Sequence, residues 1–293
     1  MLDIVYYPVS AVLWMWHTAF ASLFGAAGGL AWVLSIVFLV VTVRAALLPA
    51  FLKQARTQVV LRRLRPKIAA VKQKYPDDRT KQATEVQRLH KENGVTTFAT
   101  LIPMVGQVLV FLGLFHVLRS FDRTAVLGHL PFLATATPMS TEQNAATPNY
   151  LFGTVDVRSF LDAHLFGAPL ASNILGGGGV AVSVVGGVLV VIAAVATHFT
   201  ARIGLSRQDE TTALPFMRTL SLWVFPVGAL LAGAVMPVSI LLYYAVNNAW
   251  TLAQQHLVSR RVDAEVADED RRRAEVRAQA APKPGAKPQR QRR

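Results

Sequence analysis

Apolar residues fill the stretch from Leu30 to Leu52, LAWVLSIVFLVVTVRAALLPAFL, with a single charge inside it, Arg44. A run of about 20 such residues is what a helix needs to cross hydrocarbon, where every backbone N–H and C=O has to be satisfied within the segment. Four later runs have the same character, so the pattern predicts five crossings, at 28–52, 95–118, 178–201, 212–233 and 235–257. Residues 1–27 are apolar too, but Pro8, Ser10, His17, Thr18 and a set of Tyr and Trp interrupt them. Aromatic residues of that kind collect at headgroup level, which favours an interfacial amphipathic helix; a sixth crossing, which would reverse the N-terminus, is the alternative.

Between the first two runs the pattern changes to helical spacing with charge. Leu61, Leu64, Ile68, Val71 and Tyr75 recur at intervals of three and four, Pro76-Asp77-Asp78 marks a turn, and Ala83, Val86 and Leu89 form a thinner stripe after it. Residues 53–94 therefore read as a helical hairpin. From Lys53 to Lys91 it carries 12 Lys/Arg, which by the positive-inside rule makes it cytoplasmic. Residues 119–177 hold three basic and four acidic side chains among many Pro, Thr and Asn, and read as an extracellular loop. Residues 202–211 form a short cytoplasmic connection. Residues 258–293 form a basic cytoplasmic tail, a charged helix continuing the last crossing and then the Pro-rich end PKPGAKPQRQRR. The N-terminus is then outside and the C-terminus inside.

Composition agrees with this class. The chain has 293 residues, 53% hydrophobic and only 16% charged, with a net charge of +13. It has no cysteine, so disulfide and thiolate-metal chemistry are excluded. No Lys or Arg precedes Arg44, and no basic secretory leader is expected. No Asp or Glu lies in the five runs, which disfavours an ion-coupled carrier, and no Ser/His/Asp set or His-Glu-x-x-His motif supports an enzyme. Gly176–Gly179 is not followed by the Gly-Lys-Ser/Thr of a phosphate loop, and His116, His198 and His256 sit on separate helices, so no cofactor or metal is implied.

Two readings of Arg44 stand side by side. Eight residues, about 12 Å of helix, separate it from Lys53, within partial reach of a snorkelling side chain. Alternatively it faces water or an anionic partner inside the bundle, since an arginine in hydrocarbon costs roughly 2.5–3.5 kcal/mol on insertion scales. The runs also hold Thr42, Gln107, Tyr243, Tyr244, Asn247, Asn248, Thr251 and Gln254. Tyr243, Asn247, Thr251 and Gln254 share one helix face, and a polar stripe in lipid turns inward, either as glue between helices or as the wall of a wet groove. A cation with no acid in the runs favours the groove.

These residues resemble a known family, the YidC membrane-protein insertases with the organellar Oxa and Alb proteins. The resemblance rests on Val43-Arg44, Leu47-Leu48-Pro49 and Lys53-Gln54, then Leu64, Pro66-Lys67-Ile68 and Lys74-Tyr75, then Gly94-Val95, Ile102-Pro103 and Gln107. It is strongest at the end: Pro226, Pro237, Leu242-Tyr243-Tyr244, Asn248, Thr251 and Gln254-Gln255. Thr96-Thr97, Leu109 and Val238-Ser239 depart from the family pattern. With no large soluble domain before Leu30, the chain looks like the short five-span bacterial form. The resemblance implies an all-α polytopic protein of the bacterial plasma membrane, whose hydrophilic groove around Arg44 is open to cytoplasm and lipid. It implies nascent membrane proteins as clients, received by the hairpin through Lys53, Arg62, Arg63, Arg65, Lys67, Lys72 and Lys74. The lipid bilayer, the Sec translocon and, through the basic tail, the ribosome are the further partners expected.

Overall fold

The structure, a computed structural model, describes residues 3–26, 28–95, 97–124, 138–205, 216 and 219–280. Most of the expected 202–211 connection, the start of the 212–233 run and the Pro-rich end beyond 280 lie outside the described residues. The regular elements of the described chain are helical apart from one short hairpin: α1 Asp3–Phe24, α2 Gly29–Lys74, α3 Arg79–Glu92, α4 Thr97–Arg119, α5 Thr141–Ala145, α6 Thr154–Leu161, β1 His164–Leu165, β2 Ala168–Pro169, α7 Gly179–Leu205, a π-helical turn Leu220–Val224, α8 Phe225–Gly233 and α9 Val238–Ala280. Among the described residues two helices, α2 and α7, are long and apolar enough to cross a bilayer; Val105–Arg119 and Leu220–Gly233 are shorter apolar helices.

Two helices run on where the hydrophobic pattern stops. The 46 residues of α2 carry the first apolar run and the basic stripe to Lys74 without a break. The 43 residues of α9 carry the last run into the charged segment that follows it. Where α2 ends, Pro76 breaks the pattern and Asp78 caps α3, its side chain accepting from Lys81 N at 2.9 Å. The π-helical turn has a similarly local cause. Pro226 has no N–H to give the carbonyl of Leu222, and that freed carbonyl is taken by His198 Nδ1 at 2.9 Å.

The main core lies at the end of the molecule where α2 and α9 begin and α4 finishes. Trp32, Ile36, Leu39, Leu114, Phe121, Phe152 and Phe160 are essentially fully buried there. The segment from 138 to 177, within the expected 119–177 loop, folds into a cap over these ends. Trp32 meets Phe160 edge-on at 5.1 Å and Phe121 stacks on Phe160 at 4.2 Å, while Trp32 Nε1 donates to Ser159 Oγ at 3.0 Å. Buried Asn144 and Asn149 donate to the carbonyls of Phe121, just past the end of α4, and of Val117 in its last turn. The first N–H groups of α9 are satisfied from the cap as well: Val238 N donates to Ser172 O and Ser239 N to Leu170 O, both at 2.9 Å. At the start of α2 the β-hairpin comes so close that a Cβ on Gly29 would lie 2.0 Å from His164 O, so only glycine fits.

α1 lies against two helices at this same end. Near its start Tyr6 stacks on His116 of α4 at 4.0 Å; further along His17 stacks on Trp32 of α2 at 3.6 Å. A second, smaller core sits between the extensions of α2 and α9, where Val59, Val258 and Val262 are buried against Leu48, Leu52 and Ala55.

Candidate functional site

α2 and α9 run parallel, and their seam is where the sequence-selected residues meet. Arg44 reaches across it, donating from Nε to Asn247 Oδ1 at 3.0 Å, from Nη2 to the same oxygen at 2.7 Å, and from Nη2 to Thr251 Oγ1 at 2.8 Å. Thr251 is fixed in turn by donating to the carbonyl of Asn247 at 2.8 Å. Asn247 and Thr251 are four residues apart, so the helix places both acceptors on the face that meets Arg44. Tyr243, one turn earlier, is fully buried beside Phe111 of α4, and its Oη has no hydrogen-bond partner. Both acceptors are neutral, and no carboxylate answers the guanidinium charge within this set. Arg44 is half-buried rather than sealed in the core.

The remaining groove candidates are distributed around the seam. Thr42 sits two positions before Arg44, about 200° away around a helix at 3.6 residues per turn. It accepts from Trp16 Nε1 of α1 at 2.9 Å and so belongs to the α1 contact. Asn248 faces α7, its Oδ1 accepting from Thr197 Oγ1 at 3.1 Å and its Nδ2 donating to Tyr244 O at 2.8 Å. Gln254 is buried and accepts from Trp250 Nε1 at 2.7 Å. With Leu48, Leu52, Leu257 and Arg261 it lines a mostly apolar cleft of about 320 Å³. Gln107 is half-buried on α4. The arrangement thus gives three polar facets: one for Arg44, one for α7 and one for the cleft.

The basic positions of the α2 extension also separate. Arg63 is held by Asp270 at 2.8 Å and approaches Glu269 at 3.6 Å, both on α9. Arg62 and Arg65 line a cavity on a different side. Lys53, Lys67, Lys72 and Lys74 are exposed, Lys74 Nζ lying 5.2 Å over the ring of Tyr75. Arg56, which the sequence did not single out, pairs with Glu265 at 3.0 Å, and this bond holds the Glu265 carboxyl below the usual range. The acids Glu265, Glu269 and Asp270 were missed as well. Their signal is partial: Glu265 and Glu269, four apart, share one helical face, with Asp270 about 100° on from Glu269, as Arg56 and Arg63, seven apart, share one face. No group of His, Cys, Asp or Glu that could hold a metal ion occurs among the described residues.

Comparison with known proteins places this architecture. The model of the 60Kd inner membrane protein family matches residues 23–265. The Membrane protein insertase YidC of Mycolicibacterium paratuberculosis is 41% identical over 302 residues, covering 99% of this chain and 84% of the relative. The protein of that name from Mycobacterium tuberculosis is 40% identical, covering 99% and 81%. One from Streptomyces avermitilis is 30% identical over 265 residues, covering 86% of this chain and 57% of its own length. The chain belongs to the 60Kd inner membrane protein family, the YidC family.

Proposed function

We propose that the chain is a membrane protein insertase of the bacterial plasma membrane, crossing it five times with its N-terminus outside and its C-terminus in the cytoplasm. α1 lies along the outer surface, the cap closes that side, and the α2 extension with α3 stands in the cytoplasm as a hairpin that receives clients. The observation that carries this reading is Arg44, held in an apolar helix by Asn247 and Thr251 with no carboxylate in its set. A cation held by neutral partners is positioned but not neutralised, so its field remains available to an incoming acidic group. The three bonds engage Nε and Nη2 and leave the Nη1 end outside the set.

The mechanism follows from that charge. A polar or acidic N-terminal segment of a nascent membrane protein enters the groove from the cytoplasm and meets Arg44 partway across. Unit charges 4 Å apart attract by about 1 kcal/mol in water and about 4 kcal/mol at an effective dielectric near 20. The client's apolar segment then moves sideways into lipid, driven by burial at roughly 25 cal/mol per Å², with no nucleotide required. The Sec translocon works with the chain on clients that need it, and the basic end beyond 280 makes phosphate contacts with ribosomal RNA.

Reconstitution in liposomes with a short single-span client bearing an acidic N-terminal tail tests the reading. Protease-protected client should accumulate above the level of empty liposomes; no excess would overturn the function. The cysteine-free sequence also allows single cysteines along 30–52 and 238–257 to be probed with a water-soluble thiol reagent. Labelling should follow the Arg44 face on the cytoplasmic half and stop toward the cap.

A further inference from the structure

We propose that the tip of the β-hairpin in the cap, Phe166-Gly167, is a lipid anchor that enters the bilayer beside the start of α7. β1 and β2 pair in the register His164–Pro169 and Leu165–Ala168, so these two residues form the turn. Their φ values are 49° and 80°, both left-handed, as a type I′ turn requires. Such turns favour Asn-Gly, Asp-Gly or Gly-Gly, because a bulky side chain in the left-handed region crowds its own backbone. Phe166 takes the first position instead, and it is 89% exposed. Tyr150 (φ 50°) shares that backbone, but its ring meets Tyr6 at 5.9 Å and Tyr7 at 5.3 Å, so packing within the chain offsets the strain. Phe166 gains little from the chain itself, and the compensation falls to a partner outside it.

Where the turn sits identifies the partner. A Cβ on Gly167 would lie 3.8 Å from Ala181 Cβ in the first turn of α7, a helix long and apolar enough to cross a bilayer. Along α7 the exposed side chains Val180, Val184, Val188, Val191, Val195 and Phe199 recur at intervals of three and four and make one apolar stripe. Val182, Gly186, Val190 and Ala193 are buried on the opposite side. On the topology proposed above, on which the anchor rests, lipid covers that stripe. Ala181 stands about 60° around the helix from Val184, so the turn borders it. Counted back from Arg202, about 20 residues of helix fill the roughly 30 Å of hydrocarbon and put the far boundary near Val182. Phe166 therefore continues the lipid-covered stripe at the level where α7 enters the bilayer. The cap reaches that level a second time: a Cβ on Gly186, two turns into α7, would lie 3.0 Å from Ile174 Cδ1, and the next residue, Leu175, is exposed. Burial of such apolar side chains in lipid supplies the compensation that the strained turn lacks.

The test places one nitroxide at a time on the full chain in phosphatidylglycerol–phosphatidylcholine liposomes, on Phe166→Cys, Glu142→Cys or Val188→Cys. Power saturation then compares access to oxygen, which concentrates in lipid, with access to a water-soluble nickel chelate. The oxygen-to-nickel ratio at 166 should exceed severalfold that at 142, an exposed polar position of α5, and approach that at 188. Because this label replaces Phe166, a second reporter keeps it: on His164→Cys, an exposed position of β1, the ratio should fall severalfold when Phe166→Asn is added. Asn suits the turn, so the hairpin itself is preserved. Water-like access at 166, or no response at 164 to Phe166→Asn, would overturn the proposal; with 188 dry, the α7 crossing would stand without it. Water access at 188 as well would sink the crossing and the anchor together. The readout does not depend on insertion, so failure of the parent protein to insert a client would sink the insertase reading and leave the anchor standing.

Discussion

The seam between α2 and α9 is one helix pair built under two regimes. In its apolar half Arg44 meets an amide oxygen and a hydroxyl; beyond Leu52 on the same helix Arg56 and Arg63 meet carboxylates. In the charged half, both sides of each pair are exposed, so water and salt already screen them and the acids add geometry rather than much energy. In the apolar half a carboxylate would cancel the one charge that the proposed groove offers a client. Neutral partners fix the guanidinium at the cost of leaving its charge uncompensated. The difference teaches that the two sets of arginines are held differently: Arg44 by neutral partners that leave its charge uncompensated, Arg56 and Arg63 by acids of α9 that pair it.

The hardest test of that contrast is to remove the presented charge. Arg44→Ala or Arg44→Glu should lower client insertion into liposomes by about fivefold or more, the loss of an attraction of about 1–4 kcal/mol, whereas Arg44→Lys should largely preserve it. Equal activity of Arg44→Ala would return the residue to a snorkelling role. Next in size is the loss of its partners. Asn247→Leu with Thr251→Val leaves the cation without hydrogen bonds that are each worth about 1.5–3 kcal/mol when one side is charged. Insertion should fall severalfold and thermal stability in detergent should drop, each single change doing less than the pair. If stability falls while insertion is untouched, Asn247 and Thr251 are interhelical glue and the presentation argument fails.

The fastening half is broken at its core. Val262 is 2% exposed in the small cluster with Val59 and Val258, and Val262→Asp buries a carboxylate there, a change that costs on the order of 2–7 kcal/mol for an unpaired polar group. Spin labels on Lys67→Cys and Ala274→Cys should report a wide distance distribution in that variant and a narrow one in the parent. Insertion should fall less than with Arg44→Ala, since the groove half of the seam is left in place.

Much of this architecture was legible because it depends on local pattern. The apolar runs, the Pro76 turn and the shared face of Asn247 and Thr251 each follow from spacing along one element. The unreadable parts depend on contacts between distant residues. Thr42 stands next but one to Arg44 in sequence, yet helix rotation turns it to Trp16 of α1. The basic positions after Leu52 look alike in sequence; only the return of α9, some 200 residues later, gives Arg56 and Arg63 their acids and sets Arg62 and Arg65 along a cavity on another side. The cap shows the same limit. Phe121, Phe152 and Phe160 have no common period, and Pro, Thr and Asn between them read as loop; their burial on Trp32 is tertiary.

The smallest expected effect separates charge from packing in the fastening half. The Glu265 carboxyl is held below its ordinary range, chiefly by its bond with Arg56. A depressed carboxylate contributes its stabilisation above the unfolded-state value, about 4.3 for Glu, and loses it as pH falls through the lower folded-state value. Near neutral pH the distance between labels at positions 67 and 274 should therefore not change with pH, and it should broaden only in acid below that range. Glu265→Gln should show part of that broadening at neutral pH, since Arg63 keeps Glu269 and Asp270, with insertion unchanged. One molar salt, with a screening length of about 3 Å, should shift the parent in the same direction and the variant less, through the Arg63–Asp270 pair that it keeps. Because Val59 and Val262 remain packed under all these conditions, the distribution should widen without the helices separating. Full separation on loss of Glu265 alone would mean that ion pairs, and not the valine cluster, hold the extensions together.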